Sequence, residues 1–260
     1  MGLKLDNISY KDKLKNISYE FEEDKITSVI AASGSGKSIL SYLISGMEKP
    51  EEGAIINPYQ GRNIGYIFQN AEESFIFNTV REELMFGLKK YNYKTENINK
   101  RIEDSLKMLG LPLEYLDKSP FELSSGEKEL LSTAIVLSLN PKLIIIDEPL
   151  VYLDNKSEEY LIKLLKKLKN NYHKTIIVFT NDIEFASKVA DNYLLLKNGK
   201  VYSKGINKDL LAVSDKIKKA GVEIPKIIEF INIVKKKKNI DLERTFDIKE
   251  LMKDIYRNVK

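Results

Sequence analysis

The chain has 260 residues, a formal net charge of +4, 43% hydrophobic and 31% charged residues, a globular composition large enough for one full core plus an appendage. With no cysteine and a single histidine, His173, it has no disulfide framework, no thiolate metal site and no multi-histidine site. Basic and acidic residues nearly balance, which gives no nucleic-acid footprint. No stretch approaches the roughly 20 apolar residues that span a bilayer, and the start, MGLKLDNISY, lacks a signal-peptide core, so any role at a membrane runs through partners.

In chain order, Leu3 to Tyr10, Ile17 to Phe21 and Ile26 to Ala31 read as strands. AASGSGKS, Ala31 to Ser38, follows the third and opens a helix that runs to Ile44. Strand, glycine-rich loop and helix in that order form a phosphate cradle. Gly34 and Gly36 let backbone N–H groups approach phosphate oxygens, and the helix N-terminus adds positive charge. Lys37 reaches the β- and γ-phosphates and Ser38 ligates Mg²⁺, with Ala31, Ala32, Ser33 and Ser35 completing the loop. Ala31 stands where the pattern has glycine, so the loop is expected to strain if that position needs a conformation closed to alanine.

Ile64 to Phe68 reads as a buried strand, and Ile102 to Leu109 as a helix stopped by Gly110 with Pro112 beyond. Ser124 to Leu139 is a helix that opens with the S-x-x-E spacing of a capping box and stops before Pro141. The strand Leu143 to Ile146 then carries Asp147 and Glu148 to its C-terminal end, where such sheets bind ligands. Asp147 suits an Mg²⁺ held through water, and Glu148 suits a general base on the attacking water. Ser157 to Leu168 is an amphipathic helix with its lysines toward water, and Ile176 to Phe179 is a further buried strand. Short, continuous, β-branched runs alternating with helices predict an α/β fold around a parallel sheet. After Gly205 the strand signals fade, which predicts a main domain over 1–205 and a small, mainly helical domain over 206–260. Lys235 to Lys238 reads either as a solvated turn between helices or as a contact for acidic lipids, and His173 reads as a surface residue.

In order and spacing these motifs resemble the ABC ATPase family from Ile26 to Gly205. IGYIFQN puts Gln69 at the family's Q-loop glutamine, and LSSGE, Leu123 to Glu127, is similar to the signature LSGGQ. Gly126 is kept, whereas Ser125 replaces glycine and Glu127 replaces glutamine. VYLD, ending at Asp154, resembles the D-loop, and FTND puts Asn181 at the switch histidine. The resemblance implies a P-loop ABC ATPase core of mixed and parallel sheet with a helical subdomain over about 70–140. It implies ATP and Mg²⁺ as cofactors, catalytic roles for Gln69, Glu148 and Asn181, and Mg²⁺ contacts from Ser38, Gln69 and Asp147. It implies that Ser124, Ser125, Gly126 and Glu127 face ATP on a second subunit. Tyr10 is then the aromatic that stacks on adenine or, as a strand residue, one that packs in the sheet; both readings stand.

A narrower likeness lies in NAEESFIFNTVREELMFG, which is similar to the NPEDQLF…TV.EDVAFG stretch of energy-coupling-factor transporter ATPases, and in the tail from Ala220 to Met252. It implies an ATPase that powers a vitamin or transition-metal importer, peripheral on the cytoplasmic face of the cell membrane. Its implied partners are a second ABC ATPase, a transmembrane coupling protein and, indirectly, a membrane substrate-binding protein. The coupling protein is expected near Glu72 and Glu73, beside Phe75 and Phe77, which look exposed. Ala31, Ser125 and Asn181 depart from the family pattern, which favours a heterodimer with a more regular subunit. They also leave open a weakly hydrolysing regulatory subunit, and a soluble ABC ATPase outside transport is the remaining class. No residue encodes the solute, because in this transporter type the ATPase never touches it.

Overall fold

Two sheets organise the computed structural model, which describes residues 2–151 and 153–258. The chain opens with β1 (Leu3–Tyr10), β2 (Leu14–Phe21) and β3 (Ile26–Ile30), then α1 (Lys37–Ser45), β4 (Glu52–Ile56) and β5 (Ile64–Ile67). Three helices follow: α2 (Val80–Lys90), α3 (Thr95–Met108) and α4 (Ser125–Ser138). The chain returns through β6 (Leu143–Asp147), α5 (Asn155–Tyr172), β7 (Thr175–Thr180), α6 (Ile183–Val189), β8 (Asn192–Lys197) and β9 (Lys200–Ile206). It ends in α7 (Ser214–Lys219), α8 (Lys226–Lys238) and α9 (Ile248–Asn258).

The larger sheet has the order β5-β6-β7-β3-β8-β9 and is parallel except for β9. Every residue of β3, β6 and β7 is buried, as a sheet covered on both faces requires. A smaller antiparallel sheet, β2-β1-β4, shares a core with one face of α1, through Leu5, Ile17, Phe21, Leu40 and Ile44 among others. The helices α2, α3 and α4 form a lobe whose apolar faces meet β5, β6 and α5.

Residues 207–222 lie against the main sheet: Leu210, Ile217, Ala220 and Val222 cover Ile30, Ile183, Tyr193 and Leu195. The helices α8 and α9 close a separate small cluster around Ile228, Ile231, Leu242 and Leu251. Lys235 to Lys238 form the last turn of α8 rather than a turn between helices, a position where the helix dipole favours cations. No helix among the described residues is long and apolar enough to cross a membrane.

Candidate active site

β3 runs between β7 and β8, and Ala31 continues its line by donating its N–H to the Thr180 carbonyl at 3.4 Å. The loop then turns through Gly34 and Gly36, whose φ angles of 75° and 97° favour glycine. At Gly36 an added Cβ would also sit 2.8 Å from Leu14 Cδ2, so the β1–β2 hairpin closes on the loop there. Gly36 caps α1 without any side-chain bond, which leaves the first N–H groups of the helix for an anion. Ala31 is buried and is not among the residues with positive φ. Its methyl therefore fits without the strain that replacing glycine suggested.

Lys37 is buried, and its Nζ donates to the Ala31 carbonyl at 2.6 Å while pairing with Glu148 Oε1 at 3.0 Å. Glu148 follows β6 in a left-handed backbone conformation, φ 46°, and its N–H donates to the Phe179 carbonyl at 2.8 Å. A non-glycine residue there costs on the order of 1 kcal/mol, the kind of strain that clusters at working sites. The other carboxylate oxygen, Oε2, accepts from the backbone N–H of Asn181 at 3.3 Å. Asp182 is committed to capping α6 through Phe185 N–H at 2.7 Å. Within FTND, Glu148 therefore meets the Phe179 carbonyl and the Asn181 N–H, and Asn181 is exposed.

Asp147 ends β6 almost fully buried. Burial pushes its carboxyl upward, the Ser38 hydroxyl draws it down, and neighbouring Glu148 raises it again. The Tyr66 hydroxyl lies 3.4 Å from Oδ2 and is itself joined to Ser41 Oγ at 2.7 Å. Oδ1 is buried and has no hydrogen-bond partner among the described residues. A divalent cation fits there, because an unsatisfied carboxylate oxygen beside a serine hydroxyl is a hard-oxygen donor set. The supporting pair Tyr66 and Ser41 escaped the sequence reading: both sit on apolar elements, and nothing in their spacing signals a polar role.

The remaining candidates lie apart. Gln69 is two residues past β5, exposed, with no side-chain hydrogen bond among the described residues. Tyr10 is largely buried: its hydroxyl donates to Glu48 at 3.1 Å and the Lys11 ammonium sits 4.8 Å from its ring centroid. It packs as a strand aromatic, and its ring is covered. Asp154 caps α5 through Ser157 N–H at 2.8 Å, and Tyr152 of VYLD lies outside the described residues.

Ser124 caps α4 in a full capping box with Glu127. Glu127 Oε2 accepts from the Ser124 N–H at 2.8 Å, and Oε1 from the Tyr115 hydroxyl at 2.6 Å. Those bonds, that from Tyr115 first, hold its carboxyl down at about 2. No hydrogen bond or ion pair among the described residues joins Ser124, Ser125, Gly126 or Glu127 to the phosphate loop. Gly126 opens on empty space.

Glu72 is already engaged by Lys128, at 2.6 Å, whereas Glu73 is exposed with no ion pair among the described residues. Phe75 and Phe77 look exposed in sequence, but Phe75 is buried and Phe77 half-buried; Ile76 between them is the exposed apolar residue, with Phe86 and Phe121 also in solvent. Glu83, unremarked in the sequence, is buried and holds this loop by accepting from the N–H groups of Ile76 and Phe77.

Residues 14–151 match the family described as ABC transporter. The energy-coupling factor transporter ATP-binding protein EcfA1 of Ligilactobacillus salivarius is 32% identical over 97% of this chain and 94% of its own length. EcfA of Methanocaldococcus jannaschii is 29% identical over 95% and 92%. Among solved structures, cbiO1 from Clostridium perfringens, part of the ABC transporter complex cbiONQ, superposes with a TM-score of 0.74 at 28% identity, covering 88% of this chain and 98% of that one. The ATP-binding cassette MJ0796, a dimer in a post-hydrolysis state bound to ADP and Pi, superposes at 0.71 with 30% identity over 79% and 98%.

Proposed function

The chain belongs to the ABC transporter ATPase family, and from that premise we propose that it powers an energy-coupling-factor importer of a vitamin or transition metal, as one of two ATPases on a transmembrane coupling protein. It is an ATPase, and the ATP-binding subunits of energy-coupling-factor transporters are its full-length relatives. The observation that carries the reading is the gathering of Lys37, Ser38, Asp147, Glu148 and Asn181 at the C-terminal edge of one parallel sheet.

In this reading Lys37 and the N-terminus of α1 bind the phosphates. Ser38 and Asp147 would hold Mg²⁺, which when bound neutralises charge on the β- and γ-phosphoryl oxygens. Gln69 joins from the end of β5, the strand beside β6. Glu148 takes the proton of the attacking water. Both of its oxygens are engaged, by Lys37 and by Asn181 N–H, so Lys37 must turn to phosphate before Glu148 serves water. Asn181 offers a neutral amide where the family has histidine, and charge-assisted bonds to phosphate are roughly twice as strong as neutral ones. Slow hydrolysis at this chain's own site, and pairing with a more regular ATPase, follow from that.

Pairing is supported by the first turn of α4, where Gly126 opens on empty space beside the Ser124–Glu127 capping box and, among the described residues, has no bond to its own phosphate loop. Docking of the coupling protein is supported by exposed Glu73 and Ile76 and by exposed Phe121 and Phe86, whose rings meet those of Phe75 and Phe77. We assign 1–205 to the ATPase domain, with its helical subdomain over about 70–140, and 206–260 to dimerisation; the protein then sits peripherally on the cytoplasmic face of the membrane. Coexpression with a candidate coupling protein, followed by ATP turnover and mass spectrometry of the co-purified small molecule, tests this. A chain that turns over ATP but never associates with a membrane subunit would assign it outside transport.

A further inference from the structure

The far edge of the main sheet carries a second cleft, where the chain enters its strands rather than leaves them. Arg62 and Asn63 precede β5, Lys142 precedes β6, Lys174 precedes β7, and Glu23 and Asp24 precede β3. The facing wall comes from the helical lobe, through Tyr93, Arg101 and Leu139. The cleft encloses about 500 Å³, the size range of small-molecule sites.

Four cations converge on it. Arg62 and Arg101 both lie against the ring of Tyr93, 5.3 Å and 4.4 Å from its centroid. Arg101 also donates to the Ser138 carbonyl at 3.1 Å, and the Tyr93 hydroxyl donates to the Leu139 carbonyl at 2.8 Å, so the ring and one guanidinium are fixed. Lys174 is only 6% exposed, and its Nζ donates to Asn140 Oδ1 at 2.6 Å. None of Arg62, Arg101, Lys142 and Lys174 forms an ion pair among the described residues. Of the two carboxylates on the rim, Asp24 is taken by His173 at 3.2 Å, and Glu23 also has a partner.

Converging like charges with no carboxylate paired to any of the four among the described residues is a costly arrangement that a bound anion relieves. Lys174 registers the cost: burial first, and the charge of Lys142 second, pull its ammonium below the usual lysine range. Guanidiniums recognise phosphate bidentately, and lysines do so as point charges. One phosphate does not fill 500 Å³ or reach four cations. A bilayer surface meets only the rim and leaves recessed Lys174 untouched.

We propose that this cleft binds a small, soluble, polyphosphorylated anion between Arg62, Arg101, Lys142 and Lys174, bridging the sheet and the helical lobe at a site separate from the phosphate loop.

The test is calorimetric titration of the full chain with inorganic tripolyphosphate, with the phosphate loop removed from the measurement in two ways: by Lys37→Ala, and by saturating Mg·ADP on the unsubstituted chain. One site per chain is expected in both arms. Arg62→Gln should weaken it at least tenfold, Arg62→Lys should restore part of the affinity, and Lys142→Gln should weaken it further. Arg62 and Lys142 are exposed, so unchanged thermal unfolding of these variants separates lost binding from lost fold. Absence of the site in both arms, or equal affinity after Arg62→Gln, overturns the proposal. So does Arg62-dependent binding to vesicles containing phosphatidic acid without any binding of free tripolyphosphate.

Discussion

Lys37 uses one ammonium for two contacts, the Ala31 carbonyl and Glu148, so its removal strikes both halves of the site. Lys37→Ala should weaken Mg·ATP binding by about 10- to 100-fold, the worth of a charged donor on phosphate at about 1.5–3 kcal/mol; calorimetry measures it, and unchanged affinity would remove Lys37 from the phosphate site. Glu148→Gln should act later. An amide cannot take the proton of water, so ATP binds normally and turnover of the assembled pair falls, read by phosphate release. Asn181→His should raise hydrolysis at this chain's own site when the partner's catalytic glutamate is disabled, because one well-placed transition-state donor is worth about 10²–10³ in rate in favourable cases. Brisk turnover before that substitution would mean that asparagine suffices. These residues were legible in sequence because chemistry fixes their spacing along strand, loop and helix. Tyr66 and Ser41 were not: they meet across 25 positions only after β5 and α1 pack, and a tyrosine on a buried strand carries no mark of the carboxylate it will support.

The helix α4 joins two functions, since its first turn carries the signature and its second touches the segment after Gln69. Glu129 lies there, buried, accepting from the Ala71 N–H, with the Glu72–Lys128 ion pair nearby. Burial pushes its carboxyl up from 4.5 to about 7. The folded state therefore keeps a proton that the unfolded chain releases between those values, and stability conferred by the protonated form is lost as pH rises through 7. Glu129→Gln should remove that loss: relative to the unsubstituted chain it gains on the order of 1–3 kcal/mol at pH 8 over its standing at pH 4. Thermal unfolding at the two pH values checks it, and a pH-independent difference would mean that folding does not shift the Glu129 carboxyl. The capping box of α4 was readable from Ser124 and Glu127 because it is a local bond within one turn. The strands β8 and β9 were not predicted, although Asn198 and Gly199, both with positive φ, form the tight turn that joins them. Glu129 was hidden for another reason: a charged residue next to the polar first turn of a helix reads as solvated until the lobe closes over it.

At the scale of the whole molecule, the tail divides by what it covers. Residues 207–222 shield Ile30 and Ile183, immediately behind the phosphate loop, so a chain cut after Gly205 would expose core and lose stability for reasons unrelated to pairing. The helices α8 and α9 are different. Their inner faces close on Ile228, Ile231, Leu242 and Leu251, yet Ile248, Met252 and Tyr256, four apart along α9, remain in solvent, as do Phe230 and Ile233 on α8. Spacing by four places the α9 trio on one face, and an unpaired apolar face of that kind marks a contact surface. If the tail holds two ATPases together, Ile248→Glu with Met252→Glu should weaken the nucleotide-free dimer. Each side chain buried in an interface contributes about 1.5 kcal/mol at the low end, so the pair should raise the dissociation constant by about 100-fold. Light scattering without ATP, on the chain mixed with its partner ATPase, should then report separate chains at concentrations where the unsubstituted chain stays paired. Mg·ATP affinity per chain should hold, because neither residue supports the sheet or the phosphate loop. A mass that stays dimeric would place the contact between the ATPases elsewhere and leave the α9 face without that role.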